Sequence, residues 1–295
     1  MLRALAIILS LLAAVALAFG AQFQNDSVEK NTEKEKGEKK GVGLGHILEL
    51  IRNPRWLGGM GFLVLGACCQ IAALTMAPLI VVQPIGALAL VITSLLNARA
   101  TKTRITKATW VAISLCTGGI ATFVSLATGI ASDQKQLSDG NLVVILSILG
   151  VLLLVLGAVF LVQRQKMNAL TFILGAGLLY GILATLVKSV IQRIQQSHFE
   201  WLTVVCLVAA LLAMALGGWF VQNAYASGPP DLVIAGLTVV DPMVAVSIGI
   251  IVLGEAAQAA DNPLIAIVFA ASGAVAATGV WLLSRVHPEL KAQRS

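Results

Sequence analysis

The chain has 295 residues, 58% of them hydrophobic and 12% charged, with a mean hydropathy of +0.91. A soluble domain carries about 25% charged residues, so a soluble enzyme, a disordered chain and a nucleic-acid module are excluded. The net charge of +6 and pI near 9.3 then report which loops stay in the cytoplasm.

A spanning helix needs about 20 apolar residues. The uncharged stretches predict nine, at 4–22, 57–75, 77–98, 108–128, 141–163, 169–190, 201–222, 231–253 and 263–284. Residues 3–21 resemble a secretory signal, with Ala16-Leu17-Ala18 as a cleavage site. Cleavage would put the following basic loops on the wrong side, so this segment is expected to be retained as the first helix. The loop 23–56 comes next. Its Glu29–Lys40 part alternates Glu and Lys and reads as a solvated linker. Its His46–Trp56 part reads as a short interfacial helix with a Trp anchor, or as plain loop. The uncharged stretch 56–98 is too long for one helix, and Pro78 is placed to break it. Cys68, Cys69, Cys116 and Cys206 all fall in apolar stretches and read as buried small hydrophobes, without a metal or disulfide role.

Nine spans make the loops alternate between two sides. Sixteen of the twenty Lys and Arg residues collect on one side, leaving Arg3, Lys135, Lys188 and Arg193 on the other. The imbalance predicts an outside N-terminus and a cytoplasmic C-terminus. Lys188, near the outer end of its helix, is expected to snorkel to the interface, with pairing to Asp241 or Glu255 as the alternative.

Sliding 77–97 onto 235–255 gives eight identities in 21 positions without a gap, among them Pro84/Pro242. Polar pairs flank the match: Gln83-Pro84 against Asp241-Pro242, and Asn97 against Glu255. The expected organisation is a 4+1+4 inverted repeat. Its first half is 1–128 (including the cytoplasmic loop 23–56), its linker helix 141–163, its second half 169–284, and a cytoplasmic tail follows at 285–295. Inverted repeats are a construction of secondary transporters, with the site at the midplane between the halves.

Asp241 lies near the middle of its helix, where an acidic residue costs a few kcal/mol. It is the leading candidate for a substrate or coupling-ion site. Pro84 and Pro242 remove the helical donors to the Ile80 and Thr238 carbonyls, and paired breaks at corresponding positions point to the same site. Gln70, Gln83, Gln222 and Asn223 are candidates to line it, with interhelical hydrogen bonding as the alternative. Asn97 and Glu255 are placed at opposite mouths of a pathway, with Glu255 otherwise a solvated helix end. Gly177-x-x-x-Gly181 is a small-residue groove for close helix packing. No H-E-x-x-H, no G-x-S-x-G and no second embedded carboxylate argues for an enzyme.

The run from Pro242 to Leu253-Gly254-Glu255, followed by Ser272-Gly273, resembles the drug/metabolite transporter superfamily (EamA-like). The first half, from Gln70 through Gln83-Pro84-Ile85-Gly86-Ala87-Leu88, is similar to the NIPA-like magnesium transporter branch. The superfamily resemblance implies a secondary carrier in a bacterial plasma (inner) membrane. It would move a small organic or lipid-like metabolite by alternating access, with proton coupling through Asp241. Magnesium or another divalent cation is the alternative, weakened by the single deep carboxylate. A non-transporting accessory protein is a third. The partners expected are a small-molecule substrate and membrane lipids. A homodimer is left open, and no cofactor or nucleic acid is expected.

Overall fold

The structure, a computed structural model, describes residues 2–34, 54–100, 106–131, 137–163, 167–197, 199–227, 230–256 and 263–286. Every regular element among them is a helix: α1 (Leu2–Lys34), α2 (Pro54–Met76), α3 (Leu79–Gly86), α4 (Leu88–Ala100), α5 (Lys107–Ile130), α6 (Asp139–Gln163), α7 (Ala169–Gln195), α8 (Trp201–Ser227), α9 (Pro230–Ile251) and α10 (Pro263–Val286). Among the described residues, nine spans are long and apolar enough to cross a membrane, with α3 and α4 sharing the one at Leu79–Leu96.

Several boundaries differ from the sequence expectation, among them the ends of α7 and α8, which run to Gln195 and Ser227 instead of 190 and 222. α1 runs on to Lys34 instead of stopping at 22, because Glu, Lys and Gln are good helix formers and leaving an apolar stretch does not end a helix. The loop expected at 23–56 is therefore helical at both ends, since Pro54 already occupies the first turn of α2, a position that suits proline. Residues 35–53, with most of the expected interfacial helix, lie outside the described residues. The span at 77–98 is two helices. Past Pro84, which has no N–H to offer, the Ala87 N–H bonds the Pro84 carbonyl at 3.2 Å and the Leu90 N–H bonds that of Ala87 at 3.2 Å, tightening the chain between α3 and α4. α9 passes Pro242 without such a break. Of the cysteines, Cys116 and Cys206 are buried as expected, whereas Cys68 is exposed on α2.

Two apolar cores hold the bundle. One joins α1 to α5 with α10, around Leu79, Ile80, Val82, Ile120 and Leu283. The other joins α6 to α9, around Leu142, Ile173, Leu179 and Ile182. α1 packs along α2 and also meets α3 and α4, while α7 packs along α8 and α9; α3 meets α9, and α5 lies against α10. In lipid no hydrophobic force draws helices together, so close packing of small residues takes over. The Gly177 and Gly181 groove receives Val240 and Val244, which a Cβ on either glycine would meet at 2.6 and 2.5 Å.

The α5–α10 crossing is tighter still. A Cβ on Gly279 would sit 2.3 Å from the Cys116 backbone nitrogen, and one on Gly119 would sit 2.5 Å from that of Ala276. Backbone cannot yield as a side chain can. Gly279→Ala and Gly119→Ala are therefore expected to push the two helices apart, at a cost of about 1–3 kcal/mol, as overpacking does. Gly118→Ala meets nothing within 4 Å and should leave stability unchanged or slightly raised. Thermal unfolding in detergent compares the three, and equal behaviour would show that the crossing is not the tight point.

The sparse basic residues of one end are consumed by helix termini. Arg3 donates to the Thr128 and Ala131 carbonyls at 2.8 and 3.0 Å, at the end of α5. Arg193, buried, pairs with Asp139 at the start of α6. Lys188 does not snorkel: its side chain is fully buried.

Candidate functional site

A cavity of about 420 Å³ opens where α3, α5, α9 and α10 converge. Pro84 and Pro242 both line it, with Ala87, Phe123, Thr238, Met243, Ser247 and Phe269 among its other walls. The structure thus brings the two prolines of the sequence match to one space. Each proline leaves a carbonyl one turn back without its helical donor, and for Pro242 that carbonyl belongs to Thr238, itself a lining residue. The Phe123 and Phe269 rings, with centroids 4.1 Å apart, close one wall. Two hydroxyls add polarity. Thr238 Oγ1 donates to the Ile234 carbonyl and Ser247 Oγ to that of Met243, both at 2.7 Å. With their protons committed, both oxygens have acceptor capacity left.

Asp241 does not line this cavity. It precedes Pro242 on α9 but turns towards α7, where a Cβ on Gly181 would lie 2.9 Å from its carbonyl oxygen. Its Oδ1 is buried with no hydrogen-bond partner, and Tyr180 of α7 lies within electrostatic reach. The small faces of Gly177 and Gly181 let α9 come close enough to bury it.

The remaining expected residues scatter. Gln83 is buried beside Pro84 but is not in the cavity wall. Gln70, on α2, keeps a buried Oε1 without a partner, away from the cavity. Gln222 is exposed on α8. Asn223 spends its amide on the Trp219 carbonyl of its own helix, at 2.7 Å. The Asn97 side chain lies outside the described residues. Glu255 is not a solvated helix end: it is buried and reaches across to α3. Its Oε1 accepts from the Leu79 N–H at 2.9 Å and its Oε2 from the Ile80 N–H at 3.0 Å.

That contact belongs to a cluster of which the sequence suggested only a pairing of Lys188 with Glu255. The chain breaks at Ala77-Pro78, so the last carbonyls of α2 and the first amides of α3 need partners, and lipid supplies none. Pro78 caps α3 with no side-chain bond of its own. Second-half residues fill the gap instead. Lys188 Nζ donates to the Ala77 carbonyl at 2.9 Å and also to the Leu74 carbonyl, and Gln195 donates to that of Thr75 at 3.1 Å. The cation thus meets a helix C-terminus and the anion a helix N-terminus, the favourable sense for both dipoles. Gly254 aims Glu255. Its φ of +67° is left-handed, suits glycine and ends α9; the Glu255 N–H then folds back onto the Gly249 carbonyl at 3.0 Å. The signal was present in Pro78 and in Leu253-Gly254-Glu255, but nothing local pairs residues that far apart in the chain.

Among the described residues, no group of three or more His, Cys, Asp or Glu could hold a metal ion. The chain is 26% identical over 261 residues to an uncharacterized protein of Corynebacterium glutamicum, covering 87% of each chain. No solved structure matches it significantly. The family model of the magnesium transporter NIPA matches residues 3–198, from α1 through the Pro78 break and Pro84 to the end of α7; the chain, a multi-pass membrane protein, belongs to that transporter family.

Proposed function

We propose that the protein carries magnesium, or a divalent cation like it, across a bacterial plasma membrane by alternating access. Membership of the magnesium transporter family over residues 3–198 carries this reading. The sequence reading preferred an organic or lipid-like metabolite with proton coupling, and neither gains support from the family.

The lack of a ligand cluster among the described residues fits a cation that keeps its water. Mg²⁺ sheds its hydration shell reluctantly and is commonly held through few protein ligands. Six waters at roughly 30 Å³ each occupy about 180 Å³, less than half of the 420 Å³ cavity. Water bound to a cation presents its hydrogens outward. The cavity offers acceptors for them: the Thr238 and Ser247 oxygens and the carbonyl that Pro242 frees. Asp241 supplies negative charge from behind, through α9, and attracts the ion without stripping it. The 4+1+4 inverted repeat, with an outside N-terminus, belongs to the same proposal. The neighbour relations support it: α1 with α2 and α3 matches α7 with α8 and α9, while α5 with α10 and α3 with α9 cross between halves.

The apolar walls formed by Phe123, Phe269 and Met243 favour a second reading, an amphipathic organic cargo. One experiment separates them. Proteoliposomes enclosing a magnesium indicator should admit Mg²⁺ faster than empty liposomes. Labelled amphipathic metabolites should not exchange. Absence of divalent flux together with metabolite exchange would overturn the magnesium reading.

A further inference from the structure

We propose that Lys188 and Glu255 form a clasp that closes one end of the cavity and opens once in each transport cycle. It rests on the chain being a transporter, not on which solute it carries.

The cavity runs along α9 from Thr238 to Ile250. The clasp sits immediately beyond that last residue. Glu255 holds the Leu79 and Ile80 amides, and a Cβ on Gly249 would lie 3.4 Å from that of Leu79, so no gap remains there between α9 and α3. Lys188 holds the other side of the break through the Leu74 and Ala77 carbonyls. Both charged residues come from the second half of the chain, and every group they hold comes from the first. Rocking of the halves against each other must therefore break these bonds or carry them intact. Buried charges, even well bonded, are weak evidence for stability but are suited to selecting between packings. The open state has a ready acceptor for the ammonium: Gln192, one turn further along α7, keeps a buried Oε1 without a partner. Lys188 and Glu255 are thus positioning residues, acting through α2 and α3.

The test uses the full chain with Cys68, Cys69, Cys116 and Cys206 changed to alanine. A cysteine at Val246, in the cavity wall, is labelled with an impermeant thiol reagent in whole cells and in inverted vesicles. Glu255→Gln keeps the shape but weakens the hold on α3. It should raise labelling about tenfold or more from the side bearing residue 255, as a population shift of that size would. Unchanged labelling overturns the clasp. The labelling needs no substrate, so its failure is distinct from a failure of magnesium transport. If Glu255→Gln does not fold, Lys188→Gln, which removes the cation and keeps a donor, is labelled in the same way. It should raise labelling from the same side, and unchanged labelling there overturns the clasp.

Discussion

Asp241→Asn is expected to lower cation uptake about tenfold or more while leaving the protein as stable as before, or slightly more so. The two effects part because the carboxylate makes no hydrogen bond through its buried Oδ1. Asparagine keeps the volume and breaks no bond at that atom. It also relieves the cost of an embedded charge, a few kcal/mol at that depth. The change in stability should therefore stay within about 1 kcal/mol or favour the variant. Transport should suffer far more. At an effective dielectric of about 20, a carboxylate and a divalent cation roughly 8 Å apart attract by about 4 kcal/mol. Losing even a third of that costs about tenfold in the ion's occupancy. Asp241→Glu keeps the charge but adds a methylene where α9 packs closely on Gly177 and Gly181 of α7; partial uptake with lower stability is expected. Magnesium flux into proteoliposomes and thermal unfolding of the same preparations check both arms. An Asn variant with wild-type flux would reduce Asp241 to a packing residue.

What the sequence made legible follows from what is local. Hydropathy found all nine spans seen among the described residues because a spanning helix is decided by its own composition, and Pro78 marked a true break. Helix ends were less legible where no membrane-related force sets them, as in the charged extension of α1 to Lys34. The paired prolines could be seen because they repeat at a fixed offset, but that they line one cavity is a property of α3 and α9 meeting. The polar residues divided on the same principle. A lone Gln or Asn in an apolar helix has several ways to be satisfied, and Asn223 took the nearest one, its own backbone. Lys188 looked first like a snorkelling residue and second like a partner for Asp241 or Glu255, because position and charge could be weighed but a demand from backbone could not. Its partners are the Leu74 and Ala77 carbonyls, 114 and 111 residues away. Only the folded bundle brings that demand and that supply together.

Pro84→Ala and Pro242→Ala should each raise stability and lower transport, and together they should cost little more than the worse of the two. Alanine gives back the N–H that the Ile80 and Thr238 carbonyls lack. Proline inside a helix costs up to about 3 kcal/mol relative to alanine, so a gain of one or two is expected where the surrounding helices have not absorbed the whole penalty. At Pro84 the gain should fall on the Ile80 carbonyl within α3, with the tight turn at Ala87 left in place. At Pro242 α9 is already continuous, so the change should fall mainly on the Thr238 carbonyl and its availability to the cavity. Transport should drop about tenfold or more in each case, the fold-change that corresponds to roughly 1.4 kcal/mol. Because both prolines line one cavity, the losses should not add, whereas independent sites more than about 7–10 Å apart would give additive effects. Magnesium flux for the two single variants and the double variant completes the cycle, with unfolding temperatures confirming that each protein is intact. Normal flux in both singles would make the breaks incidental kinks, and strict additivity would place the prolines in separate steps of transport.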